Sequence, residues 1–85
     1  MGRIGSIAII IEGEGGRQSV AEVNSILSEY YECITARTGI PNRDKDIYVI
    51  SLIVDLTTEQ LGALTGKLGR LKNVTVKSLL TNKSY

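Results

Sequence analysis

A chain of 85 residues has room for one thin hydrophobic core and not for two. With 42% hydrophobic and 22% charged residues its composition is that of a folded globular protein, which excludes a disordered chain. Ten Lys and Arg against nine Asp and Glu leave a net charge of +1 with neither sign clustered, so no basic footprint is present and direct nucleic acid binding is not expected.

The residues from Ile4 to Glu12 are β-branched and almost continuously apolar, and the glycines Gly13, Gly15 and Gly16 follow them, which predicts a central strand. Ser19-Val-Ala-Glu22 has the spacing of a capping box. Val20, Val23, Leu27 and Tyr30 then recur at helical intervals, so a first helix is predicted from Ser19 to about Tyr31. From Cys33 to Gly39 a short strand is expected, with Ile34 and Ala36 on one side, Thr35 and Arg37 on the other, and Ile40-Pro41 closing it. A charged loop over 42–46 leads to a third strand with the character of the first, over 47–56. Thr57-Thr-Glu-Gln60 is a second capping box, ahead of Leu61, Leu64, Leu68 and Leu71. Gly69 and Asn73 supply helix-stopping chemistry, residues 74–80 read as the last strand, and residues 81–85 as a frayed tail.

The order strand, helix, strand, strand, helix, strand is one supersecondary unit used twice. It predicts a single α+β domain over residues 1–85 with the ferredoxin-like βαββαβ arrangement, a four-stranded antiparallel sheet in the order 4-1-3-2 and both helices on one face. Ile7, Ile9 and Ile11 with Tyr48, Ile50, Leu52 and Val54 should face the helices. The opposite side carries Ala8, Ile10, Ile47, Val49 and Ile53, where a solvated sheet would alternate to polar residues. With Arg37 and Lys77 at its rim, that face is expected to be an interface between subunits of a homodimer or homotetramer.

No signal peptide or membrane-length apolar span is apparent, so a cytoplasmic protein with no membrane partner is expected. The sequons at Asn73 and Asn82 and the myristoylation-like start are read as accidental. Cys33 is the lone cysteine and histidine is absent, so no thiolate or imidazole metal site can be completed and no cofactor is expected. Asn42-Arg-Asp-Lys-Asp46 begins like a calcium loop, but Ile47 and Ile53 stand where glycine and the bidentate glutamate are required. No serine, cysteine or lysine sits beside an activating partner in the sequence, and a non-catalytic role is expected.

The best candidate for a ligand loop is Glu12-Gly-Glu-Gly-Gly-Arg-Gln-Ser19, between a central strand and a helix N-terminus. There Gly13, Gly15, Gly16, Arg17 and Ser19 offer backbone donors, a cation and a hydroxyl. It is not a dinucleotide fingerprint, because Gln18 replaces the third glycine, and a plain flexible turn is the alternative. Gly62, Gly66 and Gly69 form a stripe on the second helix opposite its leucines; either another molecule approaches them closely or they are merely tolerated.

Ala36-Arg-Thr-Gly-Ile-Pro41 with Arg43, then Ile50-Ser-Leu-Ile-Val-Asp55, then Ala63-Leu-Thr-Gly-Lys-Leu-Gly-Arg-Leu71 leading to Val74-Thr-Val-Lys77, together resemble the family of iron-only hydrogenase system regulators. That resemblance spans nearly the whole chain and implies an ACT-like, ferredoxin-like domain. It is also similar to the metal-sensing domain of nickel-responsive repressors, whose histidines are missing here. In ACT-like proteins effectors sit at the loop after strand one, which implies a small-molecule effector there and a link to a hydrogenase-system protein. The expected function is a regulatory, ligand-sensing domain. The alternatives are a pure protein-protein interaction module and an acylphosphatase-like enzyme.

Overall fold

The structure, a computed structural model, describes residues 2–84, with residues 14–17 described only by the helical course of their backbone. Its elements are β1 (Arg3–Glu12), α1 (Gly13–Glu29), a single 3-10 turn (Tyr31–Cys33), β2 (Ile34–Asn42), β3 (Ile47–Leu56), α2 (Thr58–Gly69) and β4 (Val74–Leu80). The sheet order is β2-β3-β1-β4 with every neighbour antiparallel, the expected ferredoxin-like arrangement.

Alternation on the two central strands creates the core. Ile7, Ile9, Ile11, Ile50, Leu52, Val54 and Leu56 turn to the helices and are buried, where they meet Val23 and Leu27 of α1 and Leu64 and Leu68 of α2. α2 starts as the sequence predicts. The Thr57 hydroxyl accepts from the Gln60 N–H at 3.1 Å, and the Gln60 side chain accepts from the Thr57 N–H at 2.9 Å.

Four expectations are corrected. First, α1 begins at Gly13, six residues before the capping box placed it, on an extended Glu12 with no side-chain cap. Ser19 is a buried residue inside the helix, and its hydroxyl donates to the Lys72 carbonyl at 2.7 Å, a long-range partner that local spacing cannot reveal. Second, β2 runs on to Asn42. It is an edge strand, where the missing N–H of Pro41 can point away from the ladder.

Third, a β-bulge lies between Ile34 and Ala36, so that Ile34 opposes Val54 while Ala36 opposes Ile53. The extra residue shifts the alternation by one and carries Arg37 opposite the buried Leu52, onto the helix side of the sheet, where its guanidinium donates to Asn24 Oδ1 of α1. Arg37 is therefore not on the rim of the open face. Fourth, the tail starts in order: the Thr81 N–H donates to the Ile4 carbonyl at 2.9 Å, one step beyond the β1–β4 ladder.

Candidate functional site

Three described residues have left-handed backbone, Gly13 (φ 72°), Asp46 (φ 54°) and Asn73 (φ 62°), and all three meet at one end of the sheet. The Gly13 N–H donates to the Asp46 carbonyl at 2.8 Å and the Glu12 N–H to the Asn73 carbonyl at 2.9 Å. Asn73 Nδ2 returns a bond to the Glu12 carbonyl at 2.8 Å. The β1–α1 junction is thus tied on one side to the β2–β3 turn and on the other to the α2–β4 connection. Asn and Asp tolerate this conformation and glycine adopts it freely, so all three positions are chemically suited to it. A cluster of such residues marks a place where tertiary contacts override local preference, as they do at ligand sites.

Beside this junction lies a cavity of about 330 Å³. Ile11, Val20, Ile47 and Tyr48 give it an apolar wall, and Pro41, Asn42, Arg43 and Asp46 of the hairpin border it, together with Gly13. Of the two expected ligand residues whose surroundings are described, Gly13 and Ser19, Gly13 lines this space, and its N–H is committed to Asp46. Ser19 is buried with its hydroxyl committed to Lys72. Gly15, Gly16 and Arg17 fall on the stretch whose side chains and surroundings lie outside the described residues.

The hairpin contribution was missed in the sequence because Asn42-Arg-Asp-Lys-Asp46 reads as a solvated connection. Its signal was the run of turn residues itself, since Asn42 Oδ1 accepts from the Lys45 N–H at 3.1 Å and fixes the turn. Among the described residues no group of three or more metal-ligating side chains comes together.

The opposite face of the sheet is uncovered. Ile10 pairs with Val49 and with Thr75, and Ala8 with Ser51 and with Lys77, in rows across it. Val49 is 39% and Ile53 43% exposed, and Ile4, Ile40 and Leu79 add to the same apolar surface. Near its β1–β4 end Ile4, Ser6, Ile53 and Leu79 line a shallow apolar hollow of about 470 Å³. On the helix side Lys67 Nζ lies 3.1 Å from Glu29 Oε2 and 5.2 Å from the centre of the Tyr30 ring. Hydrogen bonding to Glu29, then to Tyr30, together with the Glu29 charge, raises the Lys67 pKa above its ordinary 10.5.

A βαββαβ sheet with both helices on one face defines a small domain of the ferredoxin-like fold, which ACT domains share. Residues 3–78 match the TM1266-like family model, described as "Iron-only hydrogenase system regulator, putative", and the chain belongs to that family. No curated protein matches the chain. Among solved structures it is similar to the uncharacterized protein TM1266 of Thermotoga maritima, at 30% identity over 96% of this chain and 100% of that one, with a TM-score of 0.87. It is similar in fold to the ACT domain of GTP pyrophosphokinase from Chlorobium tepidum, at 23% identity, covering 93% and 100%, with a TM-score of 0.66. It is likewise similar to CPII, a nitrogen regulatory PII-like protein of Thiomonas intermedia K12 solved with ADP, AMP and bicarbonate, at 15% identity, covering 98% and 97%, with a TM-score of 0.52.

Proposed function

We propose that this chain is a non-catalytic regulatory domain that binds a small effector in the cavity beside Gly13 and works as a homodimer or homotetramer. The observation that carries the reading is the coincidence of a ligand-sized, largely apolar cavity with the three hydrogen-bonded left-handed residues at the end of β1. Membership of a regulator family supports a role linked to the iron-only hydrogenase system. Within that reading the hinge-like Gly13 junction couples the effector to α1, because the same bonds fix the start of the helix. Thermal-shift screening of purified protein against amino acids, organic acids, nucleotides and inorganic anions tests it. An effector raises the melting temperature in a concentration-dependent way, and a screen with no stabilising compound overturns the proposal.

The uncovered apolar face favours a second reading, in which the domain docks on a larger hydrogenase-system protein and binds no small molecule. Stoichiometric co-purification of one partner from native extract, with no effector found, selects it. Hydrolysis of an acyl phosphate by the purified protein would overturn the non-catalytic reading altogether.

A further inference from the structure

We infer that the Tyr48 ring sets how far the cavity beside Gly13 is open, and that Gly39 keeps it open by leaving room for that ring on β2. The inference rests on the effector reading above and adds a positioning pair to its site. Gly39 lies inside an edge strand, where glycine weakens the strand and contributes no side chain to packing. Its backbone does not call for glycine, since among the described residues only Gly13, Asp46 and Asn73 occupy the left-handed region. What glycine supplies there is space. A Cβ built on Gly39 would stand 2.7 Å from the Tyr48 hydroxyl oxygen, 3.1 Å from Cε1 and 3.3 Å from Cζ, inside the distance at which such atoms pack.

The register puts the pair on one face. Gly39 is opposite Ile50, while Tyr48 is opposite Pro41 on β2 and Ile11 on β1, all on the side of the sheet that carries the helices. The ring is rooted between Pro41 and Ile11, and both of these line the cavity with it. Its far end reaches one row along β2, to Gly39. Side chains occupy separate staggered positions, so a ring denied its place over Gly39 turns back over its own row. There it takes up space bounded by Ile11, Val20 and Pro41 in a cavity of about 330 Å³. A side chain at position 39 and an open cavity are therefore alternatives.

NMR of the ligand-free protein and of Gly39→Val tests the pair. Valine suits an exposed strand, so this variant is expected to fold. In the wild type the Tyr48 ring protons should show nuclear Overhauser contacts to the Gly39 α protons, and in Gly39→Val to the Val20 methyls. Benzene, which enters apolar cavities of about 150 Å³, probes the opening through the methyl shifts of Ile11 and Val20. Gly39→Val should bind it at least about tenfold more weakly than the wild type, and the milder Gly39→Ala about threefold more weakly. In a Tyr48→Ala background Gly39→Val should leave benzene binding unchanged, which a merely structural role for Gly39 does not predict. The inference is overturned by a wild type without the contact between Tyr48 and Gly39, or without benzene binding up to roughly 10 mM. It is equally overturned if Gly39→Val, or Gly39→Ala where the valine variant fails to fold, binds benzene like the wild type, or if the loss persists without the Tyr48 ring. Each of these results leaves the effector reading to the broad screen on the unaltered protein, which decides it separately.

Discussion

Single residues at the β1 end carry more of the architecture than their size suggests. The Ser19 hydroxyl is buried and joins the interior of α1 to the carbonyl of Lys72, 53 positions away. Ser19→Ala leaves that carbonyl short of a donor and should cost about 1 kcal/mol, read as a melting temperature lower by roughly 4–8 °C. Gly13 is required for a different reason. Among the described residues an added Cβ would meet nothing closer than Asn73 Nδ2 at 3.6 Å, so space is available, but the φ of 72° is costly for alanine. Gly13→Ala should lose about 1–2 kcal/mol in chemical denaturation, and an unchanged midpoint would show that the junction is not held in this conformation. The Lys67 ammonium sits between Glu29 and Tyr30 with its pKa raised above 10.5. A raised folded-state value means that its contribution is fully present below the unfolded value and is lost as pH rises through the folded one. Stability should therefore fall on the alkaline side of 10.5, and Lys67→Gln should flatten that limb in a pH series of melting curves.

At the level of elements, α2 combines a full capping box with an exposed glycine stripe. Nothing lies within 4 Å of a Cβ built on Gly62, Gly66 or Gly69, so in the single chain no close approach explains them. Replacing Gly62 and Gly66 together by alanine should raise stability by about 1–2 kcal/mol through helix propensity alone. Destabilisation instead would mean that another molecule packs against that stripe in the assembled protein. Strands β1, β3 and β4 and helix α2 were legible in the sequence because their signals are local: the apolar run of Ile47–Leu56 and the Thr57–Gln60 box fix both type and boundary. α1 was legible as a helix but not in its start, since Ser19 satisfies the spacing of a cap while serving a tertiary bond to Lys72. The bulge at Ile34–Ala36 was illegible too, because Ile34, Thr35, Ala36 and Arg37 alternate acceptably in either register. Only pairing with β3 and the Arg37–Asn24 contact reveal which side each residue takes. The site followed the same division: Gly13 stood out as part of a glycine cluster, whereas Arg43 and Asn73 join it only through topology.

For the whole molecule the governing fact is a sheet with two apolar faces and helices on only one. Its open side presents Ile10, Val49 and Ile53 around Ala8 on the two central strands, with Lys77 on the outer strand β4. An apolar surface of this kind is stabilised when a second molecule removes it from water, and a two-fold assembly lets the same patch serve on both partners. The centre and the margin of such a surface respond differently to substitution. Val49 lies between Ile40 and Ile10 in its row, so the carboxylate of Val49→Asp would be desolvated among apolar side chains if a subunit covers it. Lys77 is exposed on an edge strand, and Lys77→Ala should cost well under about 1 kcal/mol and leave assembly intact. Light scattering at tens of micromolar, with circular dichroism to follow the fold, separates these outcomes. Wild type and Lys77→Ala should show the same mass, above that of one 9.2 kDa chain, while Val49→Asp should lose it. A folded wild-type monomer, or a Val49→Asp protein that retains both its fold and its oligomeric mass, would show that this face meets something other than a second copy of the chain.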